Sequence, residues 1–266
     1  MFLQRALITF TLGPLAIYLI YLGGLFYFIP VMAILALATV EYVQLTQKKG
    51  WHTHLGVLLP VVLVQLAAAQ WPQYHLVEPA LLVGIIVVTG YGLWLYERRT
   101  SETTLIDWLA MLGGVLLVGW LGGHFFRLRL LPDMAWQWTI LAMTSTWISD
   151  SGGYVFGKKL GRHKLAPRLS PNKTVEGYVG GIISGVLFAA LISYWLDLPI
   201  VAGTILGLII SLLGTAGDLS ISLLKRESGV KDSGNLLPGH GGALDRTDSL
   251  LWAVAITYYF VTLFVQ

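Results

Sequence analysis

Cysteine is absent from the 266 residues, which excludes disulfides, thiolate metal sites and a cysteine nucleophile. Charge is scarce as well. Asp, Glu, Lys and Arg make up 12% of the chain, about half of the roughly 25% found in an average soluble domain. A soluble surface of that composition would carry too little charge to stay dispersed. Internal repeats, low-complexity tracts and long linkers are also missing. Apolar residues fill the chain instead, at 56% with a mean hydropathy of +0.72. Lipid is the solvent this composition expects, and one helical membrane domain is the expected organisation.

A membrane helix needs roughly 20 mostly apolar residues. Runs of that kind predict about nine spans, at 6–22, 25–45, 55–70, 76–96, 105–123, 134–150, 175–196, 200–223 and 249–265. The first is expected to be a retained span rather than a cleaved leader, because apolar runs recur to the last residue. The first 130 residues read as spans alone, and residues 131–266 as spans plus chemistry. Glu41 and Asp107 read as interfacial charges facing solvent. Trp71, Trp94, Trp108, Trp120 and Trp195 fall near span ends, as an aromatic belt would.

Orientation follows from the basic residues. With the N-terminus in the cytoplasm, the inside segments hold Arg5, Lys48, Lys49, Arg98 and Arg99 from the first half. They also hold Lys158, Lys159, Arg162, Lys164, Arg168, Lys173, Lys225, Arg226, Lys231 and Arg246 from the second. That is 15 of 17 basic residues, with only Arg127 and Arg129 outside. The positive-inside rule therefore expects the N-terminus in and the C-terminus out, in a bacterial cytoplasmic membrane.

Polar residues concentrate after residue 145, in three segments expected at that inside face. The first is Trp147-Ile148-Ser149-Asp150-Ser151-Gly152-Gly153-Tyr154, where the glycine pair reads as a helix breaker behind Asp150. The second is Ser170-Pro171-Asn172-Lys173-Thr174-Val175-Glu176-Gly177. Ser170 reads as an N-cap with Pro171 at the first helical position, and such a helix end, reinforced by Lys173, suits phosphate. The third runs from Gly217-Asp218 through Lys225-Arg226, Lys231-Asp232 and Pro238-Gly239-His240-Gly241-Gly242 to Asp245-Arg246-Thr247-Asp248. Asp218 lies about two turns inside the eighth span, where charges are rare and usually functional. Asp245 and Asp248, three apart, share a helix face. Carboxylates from two helices would suit a hard cation, whereas a salt-bridge cluster with Lys225, Arg226 and Arg246 explains the charges but not the glycine-rich loop.

The third segment resembles the signature of the phosphatidate cytidylyltransferase (CDP-diacylglycerol synthase) family. The likeness lies in Ser222-x-Leu224-Lys225-Arg226, Lys231-Asp232-x-Gly234, Leu237-Pro238-x-His240-Gly241-Gly242 and Asp245-Arg246-x-Asp248, over 27 residues. The first two segments look like the family's as well, so the resemblance covers roughly residues 145–266. The chain departs at Ala243 and Asn172, where a larger aliphatic residue and a lysine are common. The resemblance implies an integral membrane enzyme that joins CTP and phosphatidic acid into CDP-diacylglycerol and pyrophosphate. Mg²⁺ is the implied cofactor, with room for a second cation; membrane lipid and a second copy of the chain are the other implied partners, and nucleic acid is not one. Asp218 and Asp245 are the expected metal ligands, with Lys225 and Arg246 beside them in catalysis. Ser170, Lys173, Lys225, Arg226, Lys231, His240, Asp248 and Asp150 are the expected substrate contacts. A CTP-dependent polyprenol or lipid kinase is the alternative enzyme, and a transporter the alternative of another class.

Overall fold

A computed structural model describes residues 2–234 and 241–266, with side chains from residue 11 onward. Among the described residues there are ten α-helices: α1 Phe2–Leu22, α2 Gly24–Lys48, α3 Leu55–Gln70, α4 Val77–Glu97, α5 Thr104–Gly114, α6 Leu121–Arg129, α7 Ala135–Leu160, α8 Val175–Trp195, α9 Ile200–Glu227 and α10 Leu244–Phe264. A π-helical stretch, Val115–Trp120, joins α5 to α6 without a break. Strands β1 Lys164–Ala166 and β2 Ser170–Thr174 form an antiparallel hairpin between α7 and α8.

Among the described residues six stretches are long and apolar enough to cross a membrane: α2, α4, the continuous α5–α6 stretch, α8, α9 and α10. The chain is thus a polytopic helical membrane protein. Three of the nine expected spans are not among the six: α1, of which the apolar stretch Thr11–Leu22 is described, and two that fall short for visible reasons. Helix α3 has 16 residues, about 24 Å at 1.5 Å per residue, less than the roughly 30 Å of a hydrocarbon core. Helix α7 is long enough, but it carries Asp150, Lys158 and Lys159 beside a run of Ser and Thr.

The helices gather into two compact units, residues 1–127 with 224–247, and residues 128–223 with 248–266. In the first unit, α2 changes character along its length. Its first turns present Leu25, Phe26 and Ile29 outward, while its second half buries Thr39, Glu41, Tyr42 and Thr46. The threonines satisfy themselves by donating back to the helix, Thr39 to the Leu35 carbonyl (2.8 Å) and Thr46 to that of Tyr42 (3.0 Å). Tyr42 donates to the Ala110 carbonyl on α5 at 2.7 Å. Asp107, expected at a wet interface, is fully buried. It accepts from the backbone N–H of His52 (2.8 Å) and from the hydroxyls of Ser101 and Thr103, tying the α2–α3 loop to the first turn of α5.

In the second unit, α7 and α8 pack backbone against backbone. A Cβ at Gly177 would meet the Gly153 carbonyl at 2.7 Å, and one at Gly181 the Ser149 carbonyl at 2.8 Å. Small residues allow this approach between helices in lipid, where packing rather than hydrophobic burial drives association. Gly152-Gly153 therefore does not break α7, which continues to Leu160. The glycines are there for the contact. The expected helix start at Ser170 is also corrected. Ser170–Thr174 is extended and pairs with β1, Lys164 opposite Thr174 and Ala166 opposite Ser170. The N-cap of α8 is Thr174, whose hydroxyl oxygen accepts from the Gly177 N–H at 3.1 Å.

Candidate active site

The acidic and basic residues singled out from the sequence fall into two groups, one in each unit. In the second unit, the α7–α8 contact fixes Asp150 on one helix and the hairpin ahead of the other. The hairpin is pinned at its root: the Val175 N–H donates to the His163 carbonyl (2.9 Å), and Glu176 accepts from the Arg162 N–H (2.9 Å) and the His163 ring (2.6 Å). Lys173 thereby stands one residue ahead of the N-cap rather than inside the helix. Its ammonium forms an ion pair with Asp218 of α9, both side chains about a quarter exposed. Ser222, one turn along α9, donates to the other Asp218 oxygen at 3.2 Å. Asp150 lies within electrostatic reach of both Lys173 and Asp218. Two carboxylates and one ammonium thus share this part of the second unit.

The first unit holds the other group. Lys225, near the end of α9, donates to Asp245 in the first turn of α10 at 2.6 Å, and both side chains are nearly enclosed. Asp245 collects two backbone donors on its other oxygen, the Ser233 N–H (2.8 Å) and the Gly242 N–H (3.0 Å), and shares the single Ser233 hydroxyl proton (3.0 Å) with Glu41. Gly241 makes this possible with φ at +75° and no side chain, since a Cβ there would collide with the Asp245 carboxylate.

The remaining predicted residues take other positions. Ser170 is half-buried in β2, where its backbone opposes Ala166. Arg226 is exposed and donates to the Val230 carbonyl at 3.1 Å. Lys231 and Arg246 are exposed, and Asp248 is half-buried on α10. His240 and the Leu237-Pro238 pair lie outside the described residues.

Glu41 is the residue that the sequence reading missed. Expected to face solvent, it is 7% exposed. It accepts from the backbone N–H groups of Ala243 (2.8 Å) and Leu244 (2.9 Å) and from the Ser233 hydroxyl (2.7 Å). The available signal was depth: Glu41 lies about two turns inside the end of α2, as Asp218 does in α9. An acid at such depth needs partners.

Among the described residues no three His, Asp or Glu side chains gather into a metal-binding group, so the expected convergence of three carboxylates is not seen there. Magnesium does not require one. It keeps several waters and usually takes one or two carboxylates together with substrate phosphates. Asp218, held by Lys173 and Ser222 in the second unit, offers the hard oxygens such a cation takes.

Comparison with known proteins assigns the chain to a family. The family model described as "Cytidylyltransferase family" matches residues 3–264. A phosphatidate cytidylyltransferase of Synechocystis sp. is 34% identical over 94% of this chain and 92% of its own length. One from Staphylococcus aureus is 32% identical over 88% of this chain and 89% of its own. One from Bacillus subtilis reaches 42% identity over 56% of each. With the match running almost end to end, the chain belongs to the cytidylyltransferase family.

Proposed function

We propose that the chain is a phosphatidate cytidylyltransferase, which joins CTP to phosphatidic acid and releases pyrophosphate. The observation that carries this reading is the likeness to the Synechocystis phosphatidate cytidylyltransferase over 94% of the chain. The chemistry fits the residues. A phosphate monoester bears about −1.5 to −2 charge near pH 7, so the lipid phosphate is already a nucleophile. Its oxygen attacks the α-phosphorus of CTP, the bond from that phosphorus to the bridging oxygen of the β-phosphate breaks, and pyrophosphate leaves. The obstacle is repulsion between two polyanions.

Magnesium, when bound, supplies neutralisation of the triphosphate and of the departing pyrophosphate. Asp218, with Asp150 in support, is its proposed ligand in the second unit, and Asp245 is the proposed ligand of a second cation in the first. Lys173 and Lys225 stand ready for the phosphates because each already holds an ion pair. A polyanion competes for those ammonium groups and frees the carboxylates they now neutralise. Arg226, Lys231 and Arg246 add positive charge for the nucleotide and lipid headgroup, Ser170 and His240 complete the substrate contacts, and the acyl chains enter from the bilayer.

The site is proposed to face the cytoplasm of a bacterial inner membrane, with the N-terminus inside. Since the chain has no cysteine of its own, single cysteines introduced at Ser151 and at Asp133 report the topology directly. Labelling of Ser151→Cys from the outside of intact cells would refute the orientation.

The reaction is tested in membranes expressing the chain, with CTP labelled on the α-phosphate. CDP-diacylglycerol plus pyrophosphate is expected; lipid phosphate plus CDP would identify a kinase instead. Asp218→Asn is expected to abolish product while the protein still inserts, and near-normal turnover would overturn the proposed metal ligand.

A further inference from the structure

Asp245 is held from a distance by a residue that the proposed reaction does not use. Consecutive N–H groups at the start of α10 divide between two carboxylates. The Gly242 N–H goes to Asp245, and those of Ala243 and Leu244 go to Glu41 on α2. A helix leaves its first N–H groups without internal partners, and here a side chain some 200 positions away in sequence supplies the cap. Ser233 joins the two acids. Its hydroxyl lies 2.7 Å from Glu41 and 3.0 Å from Asp245, and its N–H also donates to Asp245. The space around Glu41 is built for a carboxylate: Gly234 and Gly242 lie against it so closely that a Cβ at either would collide with it. Fixing one acid therefore fixes Ser233, and fixing Ser233 sets where the Asp245 oxygens point.

We propose that Glu41 is a positioning residue for Asp245, acting through Ser233 and the first turn of α10. The proposal rests on the role given to Asp245 above. Glu41 touches no substrate in this scheme, and its effect reaches the reaction only through Asp245.

The test compares wild type, Glu41→Gln, Ser233→Ala and the double variant as purified full-length enzymes in lipid–detergent micelles. Glutamine has the shape of glutamate, but its NH₂ group must face another donor in this ring. Losing a hydrogen bond to a charged group in this way lowers kcat roughly 10- to 100-fold. KM for CTP is expected to stay within about threefold, because Glu41 itself touches no substrate and the Lys225–Asp245 pair stays in place. Ser233→Ala is expected to lower kcat in the same manner, and the double variant to be no slower than the slower single, since both act through one group. Amide exchange at Ala243 and Leu244 should quicken in Glu41→Gln.

A Glu41→Gln enzyme with kcat within twofold of wild type overturns the proposal. So do single losses that multiply in the double variant, or a rise in KM at unchanged kcat. If Glu41→Gln does not fold, Ser233→Ala decides alone by the same kcat and KM criteria. An inactive wild type would overturn the functional reading instead, and the exchange measurement would still test the clamp.

Discussion

The Lys225–Asp245 pair makes an asymmetric prediction about stability. Both side chains are nearly enclosed, at 11% and 9% exposure, and 2.6 Å apart. Their other partners differ. Asp245 retains the Ser233 N–H and the Gly242 N–H if the lysine is removed, and shares the Ser233 hydroxyl with Glu41. Among the described residues Lys225 has Asp245 as its hydrogen-bond partner. Lys225→Met thus loses one charge-assisted bond, about 1.5–3 kcal/mol, and leaves a carboxylate that is still solvated by protein. Asp245→Asn does worse. Whichever way the amide is turned, its NH₂ faces either the Lys225 ammonium or the two N–H groups, and the lysine stays buried without a counter-charge. Breaking a buried pair in that way costs about 3–5 kcal/mol. At roughly 2–4 °C per kcal/mol for a chain of this size, Asp245→Asn should melt roughly 6–20 °C below wild type. Thermal unfolding in detergent, followed by tryptophan fluorescence, reads this. The order Asp245→Asn below Lys225→Met is the content of the prediction, and the double variant should recover part of the loss. Equal melting of the two single variants, or Lys225→Met as the less stable, would refute the reasoning.

Two further substitutions test the second unit. Thr174→Ala removes the hydroxyl that caps α8 at the Gly177 N–H, so a loss of about 1 kcal/mol is expected in the same melting assay. Gly181→Ala places a methyl 2.8 Å from the Ser149 carbonyl and should cost about 1–3 kcal/mol by forcing α7 and α8 apart. Gly90→Ala is its control: no atom lies within 4 Å of the new methyl in α4, so a gain of about 0.5–1 kcal/mol is expected from helix propensity alone.

The spans were legible because apolar length is a property of the chain alone. Helices α2, α4, α8 and α9 begin and end within a few residues of the runs read for them. The polar segments after residue 145 were legible because acids and lysines are costly in an apolar chain and stand out. What was hidden depended on partners far away in sequence. Ser170-Pro171 has the local look of a helix start, but pairing of Ser170–Thr174 with β1 holds it extended and moves the cap to Thr174. Gly152-Gly153 has the look of a break, yet α7 runs through it because those positions lie against α8. Glu41 gave only its depth in α2 as a local sign, since the groups that bury it are about 200 residues on.

The donors around each acid separate the structural acids from those available to a substrate. Removing a carboxylate from water is costly, so every acid in the interior must be satisfied. Glu41 is satisfied by two backbone N–H groups and a hydroxyl. Asp107 is satisfied by a backbone N–H and two hydroxyls, with the His52 ring 3.4 Å away. The backbone donors around these two are fixed in place and belong to helix ends and loops, so an incoming phosphate cannot carry them off. Asp218 and Asp245 are also neutralised by lysines at the ends of long, jointed side chains, Asp245 with two backbone N–H donors besides. An ammonium of that kind can change partners when a polyanion arrives, leaving Asp218 in need of a new cation while Asp245 keeps its two backbone N–H donors. In the proposed reaction the ion pairs at Asp218 and Asp245 would serve as more than stabilising contacts. They let these acids stay at helix depth before substrate binds, and a triphosphate is the kind of ligand able to exchange them.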